Sequence, residues 1–181
     1  MKVLIGILLW ILFIPLNLGA VLVGYVLAPV IVLFCDKDGW LPKWLWWFQT
    51  PDNSMDGDGG WKREHWQWRF ELPEPLCTYV GRVGWAWRNP VYGFSLSVLA
   101  ARPKEIPFTW FGNPDIRNAS ADKEAINGWL IVTSGIYWNV YIIAPFFSRT
   151  FRLYLGWKLR SGEGREVYQY VLYMNPFKSR G

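Results

Sequence analysis

From Val3 to Cys35 the chain runs 33 residues without a charged side chain, more than the about 20 apolar residues that cross a bilayer as a helix. Pro15, Asn17 and Gly19 interrupt its middle and Pro29 falls near its end. Proline removes a helical hydrogen bond and asparagine is costly in hydrocarbon, so a break is expected near 15–19. Three shapes fit: a long kinked span, a span preceded by an interfacial segment, and a re-entrant hairpin. Residues 1–35 are accordingly expected to be a membrane anchor. A cleaved signal peptide fits less well, because its apolar stretch is about 7–15 residues and here the run continues for 15 residues beyond Ala20.

Period-2 alternation takes over downstream. Trp66, Trp68 and Phe70 alternate with Gln67, Arg69 and Glu71, a short strand signal closed by Pro73 and Pro75. Leu76 to Arg88 suits a short helix that Asn89-Pro90 ends. Val91 to Ala100 is apolar and ambiguous, and Pro103 to Ala119 reads as loop. Trp129–Val132 and Tyr137–Ile143 are strands separated by Thr133-Ser134-Gly135. Phe151, Leu153, Leu155, Trp157 and Leu159 alternate with Arg152, Tyr154, Gly156, Lys158 and Arg160. After Ser161-Gly162-Glu163-Gly164 the chain returns from Glu166 to Met174 with Tyr168, Tyr170, Leu172 and Met174 on one face.

The pattern predicts an α+β protein: an N-terminal apolar transmembrane helix or helical hairpin, then a small domain with a C-terminal antiparallel β-meander of about four strands. One sheet face should be apolar and one wet. The segment around Leu76–Trp87, or the anchor, is expected to cover the apolar face. Residues 36–60 form a Trp-rich interfacial segment and an acidic, Gly-rich loop, and 61–181 the α+β domain.

Composition sharpens the membrane reading. Of 14 Trp, 11 Phe and 9 Tyr, several tryptophans cluster just after the anchor. Trp40, Lys43, Trp44, Trp46, Trp47 and Phe48 are candidate membrane-interface residues, since indole favours the headgroup level. A net charge of +5 suits an anionic bilayer surface, and no nucleic-acid module is recognisable, so no nucleic-acid partner is expected. Lys37 and Lys43 after the anchor, against Lys2 before it, place the following domain in the cytoplasm by the positive-inside rule. Two cysteines, Cys35 and Cys77, are expected to be free thiols.

Chemistry is sparse. Asp52, Asp56 and Asp58 are spaced by Gly, Asn and Ser, and Asp52, Ser54, Asp56 and Gly57 match the start of an EF-hand loop. Position twelve is Arg63 rather than Glu, so that motif fails. The three carboxylates stay candidate ligands for Ca²⁺ or Mg²⁺, with a solvated polar turn as the alternative. His65 is the only histidine. Ser–His–Asp, HExxH, Walker and CxxC patterns are all missing. No cofactor is expected beyond that ion.

Trp47-Phe48-Gln49-Thr50-Pro51-Asp52-Asn53 with Asp56-Gly57-Asp58, then Arg88-Asn89-Pro90-Val91-Tyr92-Gly93-Phe94, and the stretch from Gly156-Trp157-Lys158 to Asn175-Pro176-Phe177 resemble small uncharacterised proteins of tailed phages and prophages. The resemblance covers about Cys35 to Phe177. It implies no catalytic residue, because the role of that group is not settled. It implies a phage-encoded, non-enzymatic protein at the bacterial inner membrane, contacting lipid and a host or phage protein, with self-association compatible. A structural component of the virion is the first alternative. A metal-dependent hydrolase of a lipid or phosphate ester, built on the three Asp and His65, is the second.

Overall fold

The computed structural model describes residues 2–65, 72–103, 107–118, 124–161 and 166–178. The strand expected at Trp66–Phe70 lies outside them. The elements are helix α1 (Lys2–Ile31) running into a 3₁₀ turn (Val32–Phe34), a 3₁₀ helix (Lys43–Phe48), α2 (Gly59–His65), α3 (Glu74–Arg88), α4 (Tyr92–Ser97) and five strands. These are β1 (Thr109–Gly112), β2 (Gly128–Ser134), β3 (Tyr137–Phe146), β4 (Arg149–Trp157) and β5 (Tyr170–Lys178), with a 3₁₀ turn (Leu159–Ser161) after β4. The architecture is α+β, as the pattern predicts.

The chain divides into two compact units, a helical one of Pro15–Val98 and a sheet unit of Met1–Ile14 with Leu99–Gly181. This differs from the three consecutive segments expected, because the first half of α1 belongs with Leu99–Gly181. Nor does α1 break at 15–19. It runs uninterrupted through Pro15, Asn17 and Gly19, which removes the hairpin. Proline is tolerated in an apolar helix where neighbouring groups satisfy the carbonyl it frees.

In the sheet unit the strands form an antiparallel meander in the order β1-β2-β3-β4-β5. Gly135, at φ +63°, turns β2 into β3. The expected loop over 103–119 in fact contains β1, whose four residues are all exposed. With no buried face, β1 leaves no alternation to read.

The two faces of the sheet are the reverse of what the sequence suggests. Leu130, Val132, Asn139, Tyr141, Ile143, Tyr154 and Gly156 lie on one side and are buried. That side carries the polar residues, including Arg152. Its guanidinium sits over the rings of Tyr141 (5.4 Å) and Tyr173 (4.9 Å), and Arg160 over Tyr141 (4.8 Å). Aromatic faces thus accept these cations within the core side, and burial holds the Tyr154 phenol well above its ordinary pKa.

The other face carries Ile131, Val140, Ile142, Phe151, Leu153, Leu155 and Leu172, which are half-buried, and at one end Trp138, Trp157 and Tyr170, which are buried. Of the two covers expected for it, α1 supplies Trp10 and Phe13. Trp10 meets Trp138 edge-on at 5.4 Å and stacks on Tyr170 at 5.9 Å, while Phe13 meets Tyr170 at 6.2 Å. Trp10 Nε1 donates to the Val171 carbonyl (3.1 Å), and Tyr170 Oη donates to the Trp10 carbonyl (3.2 Å).

In the helical unit, Ala28, Ile31 and Val32 of α1 and the turn after it share a core with Leu41, Leu45, Met55, Trp61, Val83, Trp85 and Ala86. The α3 sequence begins with Pro75 in its first turn and ends at Asn89, whose N–H closes on the Trp85 carbonyl.

Candidate membrane-facing surface

Helix α1 is apolar on every side, yet its sides differ. Gly6, Trp10, Asn17, Gly24, Ala28 and Ile31 are buried, recurring at intervals of three, four or seven residues and so lining one face. Small residues mark where other backbone comes close. A Cβ on Gly6 would run into the Ile136 carbonyl, and one on Gly24 would meet Val91 Cγ1 at 2.9 Å. The rest of the helix is open: Leu8, Leu12, Leu22 and Val26 are 60–66 % exposed. Among the described residues this is one helix long and apolar enough to cross a membrane. Monomers in water rarely show contiguous apolar patches above a few hundred Å².

Proline chemistry ties the helix to α3. Pro29 has no N–H to give the carbonyl four residues back, Tyr25. Trp87 Nε1 donates to that carbonyl at 3.0 Å. About two turns earlier on α3, Tyr79 Oη donates to the Pro29 carbonyl at 3.1 Å, where α1 tightens into its 3₁₀ end. An indole and a phenol thus replace bonds that water would make on a solvated helix.

The tryptophan turn is sorted by side. In the 3₁₀ helix Lys43–Phe48, Leu45 points into the core and Phe48 packs against it. Trp44, Trp46 and Trp47 are exposed, as are Lys43 and Trp40. Trp44 meets Phe34 edge-on at 5.5 Å, which makes the open side of α1 continuous with the turn. Trp47 meets Phe94 at 5.8 Å. The turn is pinned by Gly93, where a Cβ would strike the Trp46 carbonyl, and by the buried Gln49, whose Oε1 accepts from Leu41 N at 2.8 Å. Val91 holds a left-handed backbone (φ +45°), uncommon for a β-branched residue, and this puts its side chain against Gly24. The Gln49–Asn53 and Arg88–Phe94 stretches therefore act as scaffolding. Thr50 Oγ1 closes its own turn on the Asn53 carbonyl at 3.1 Å.

The three loop aspartates do not converge. Asp58 caps α2, accepting from Trp61 N at 2.7 Å. Asp56 takes Arg82 Nε at 2.7 Å, both side chains being mostly buried. Asp52 stays exposed. Among the described residues no group of three His, Cys, Asp or Glu is placed to hold a metal. Spacing suggested a shared ligand set. Instead the caps and the ion pair aim the carboxylates apart. Cys35 and Cys77 are free thiols. Burial pushes the Cys35 thiol up to about 11, Arg82 opposing and Asp56 and Asp36 adding to the shift, so it is a poor nucleophile at neutral pH.

The site thus consists of an apolar helix open on one side and a cluster of exposed tryptophans, with Asp56 and Asp58 engaged in the fold. The chain belongs to a family of unknown function, DUF7338, whose model matches residues 1–181. Neither the curated proteins nor the solved structures contain a match.

Proposed function

We propose that this is a phage-encoded, membrane-anchored protein of the bacterial inner membrane that works through lipid and protein contacts rather than catalysis. Its polar surfaces face the cytoplasm. The observation carrying the membrane part is the uncharged open side of α1, continuous through Phe34 and Trp44 with the exposed tryptophan turn. Support for the phage assignment is the resemblance of the Trp47–Asn53, Arg88–Phe94 and Gly156–Phe177 stretches, and support for the cytoplasmic side is the placement of Lys37 and Lys43.

Leu12 and Val26 are 65 % and 66 % exposed, so lysine there leaves the fold alone while adding charge to the lipid side. Each lysine costs about 2.5–3.5 kcal/mol at the centre of a bilayer. The full-length protein is expected to stay with membranes through a carbonate wash, and the Leu12→Lys/Val26→Lys variant to be released folded. Retention of the double variant refutes the anchoring. Recovery of the wild-type chain in purified virions at structural stoichiometry would make it a particle component instead.

A further inference from the structure

We infer that the half-open face of the five-stranded sheet is itself a lipid-contacting surface, lying against acyl chains beside α1. This rests on the membrane reading of α1 and extends it to a part of the protein that no anchor segment includes.

The cross-strand register lines up uncharged rows. Phe111 pairs with Ile131, Ile131 with Val140, Val140 with Leu155, and Leu155 with Leu172. A second row runs Trp129, Ile142, Leu153, Met174. No charged residue stands in either row, and the charge on this face, Arg149 opposite Phe146, lies at the far end of the β3–β4 hairpin. Their burial is that of an uncovered sheet face: central members are shielded only by neighbours, while Trp129 and Phe111 are half exposed and Met174 two-thirds. The opposite face, which holds Arg152, is the one sealed into the core. Water as the neighbour would favour the reverse arrangement.

Three observations select lipid as the occupant. The rows share the sheet face on which Trp10 and Phe13 lie, so the open side of α1 (Leu4, Leu8, Leu12) and the sheet rows belong to one unit; if the helix meets hydrocarbon, its bed is alongside. A protein partner would meet about one hydrogen bond per 100–200 Å², and these rows offer it no polar side chain. The net charge of +5 favours anionic headgroups around such a face. Open sheet edges are not tolerated deep in hydrocarbon, which limits contact to the outer acyl region of one leaflet, with the edges at headgroup depth.

The test uses full-length protein in vesicles of 3:1 phosphatidylcholine and phosphatidylglycerol, on a Cys35→Ser, Cys77→Ala background. An environment-sensitive fluorophore is attached to Ile142→Cys or Leu153→Cys on the sheet face, Leu12→Cys on α1, or the exposed Asp115→Cys. Quenching by brominated acyl chains is compared with quenching by aqueous iodide. The two sheet probes are expected to follow Leu12, quenched several-fold more by bromolipid than by iodide, with Asp115 the reverse. Sheet probes behaving like Asp115 while Leu12 remains lipid-quenched overturn this inference and leave the anchor standing. Iodide quenching of Leu12 as well overturns both. Sheet probes shielded from both quenchers in a dimer would assign the face to a second copy and overturn the lipid contact. Unlabelled wild-type protein provides a check that needs no substitution: a lipid with a diazirine in its acyl chain is expected to label peptides holding Ile142, Leu153 and Met174, and labelling confined to α1 peptides refutes the inference.

Discussion

The indole of Trp87 stands in for the hydrogen bond that Pro29 cannot make, and a double-mutant cycle isolates that substitution of one donor for another. Trp87→Phe keeps a six-membered aromatic ring but loses the pyrrole part of the indole with its Nε1–H, leaving the Tyr25 carbonyl, now held at 3.0 Å, without its donor, and the cycle cancels the packing loss shared by both backgrounds. The bond lies on the exposed surface of the protein, and under a covering layer of detergent, where water cannot reach it, an orphaned backbone acceptor costs about 1–3 kcal/mol. For a chain of this length that is roughly 2–12 °C in Tm. Pro29→Ala returns an amide N–H to the same carbonyl. In that background Trp87→Phe should cost well under half as much, a coupling of about 1 kcal/mol or more. Thermal unfolding of the four proteins in one detergent measures it. Equal losses in both backgrounds would refute the claim that the indole serves the carbonyl freed by proline, and would leave Trp87 as a packing residue only.

Three further outcomes are expected. Gly6→Ala, whose Cβ would meet the Ile136 carbonyl, should destabilise by about 1–3 kcal/mol. Gly19→Ala, with nothing within 4 Å of its Cβ, should stabilise by about 0.5–1 kcal/mol, and denaturant titration of both reads the contrast. Asp56→Ala, which leaves the mostly buried Arg82 without its carboxylate and with only the Asp36 carbonyl to donate to, should cost about 1–3 kcal/mol, with Asp56→Asn, which keeps an acceptor oxygen for Arg82 Nε, costing less. With Cys77 replaced by Ala, maleimide labelling of Cys35 at pH 8 should run at about one-hundredth the rate of an ordinary thiol and climb until pH nears 11. Because the folded pKa lies above the unfolded one, the thiol's share of stability is whole below pH 9.0 and is lost as pH rises toward about 11. A rate that levels off at pH 9 would contradict the burial.

The sequence discloses elements better than it discloses surroundings. Unbroken apolar composition revealed α1, β-branched and aromatic enrichment revealed β2 and β3, and period-2 alternation revealed β4 and β5, because these signals are local. Reading 15–19 as a break assumed that a proline must interrupt the helix, and the structure shows α1 carried through. The sheet faces misled for a deeper reason. Alternation says that two faces differ but not which one meets the core, and the usual rule assumes water outside. Arg152 marks the core side here only because Tyr141 and Tyr173 lie beneath it, a pairing far apart in sequence. The tryptophan turn was legible as an exposed aromatic cluster. Its support by Gly93 and Gln49 was not, since those contacts form only after the chain has folded back. Asp52, Asp56 and Asp58 looked alike in the sequence and separated once Arg82, 26 residues on, claimed one of them.

Trp10 and the strand that accepts its indole N–H are 161 residues apart, with the whole helical unit between. During synthesis at roughly 5–20 residues per second, β5 leaves the ribosome about 8–32 s after α1. Throughout that interval the first half of the most apolar segment of the protein exists without the sheet that covers Trp10. The connectivity therefore sets an order: α1 is made first, and the indole of Trp10 finds its acceptor only once β5 has followed.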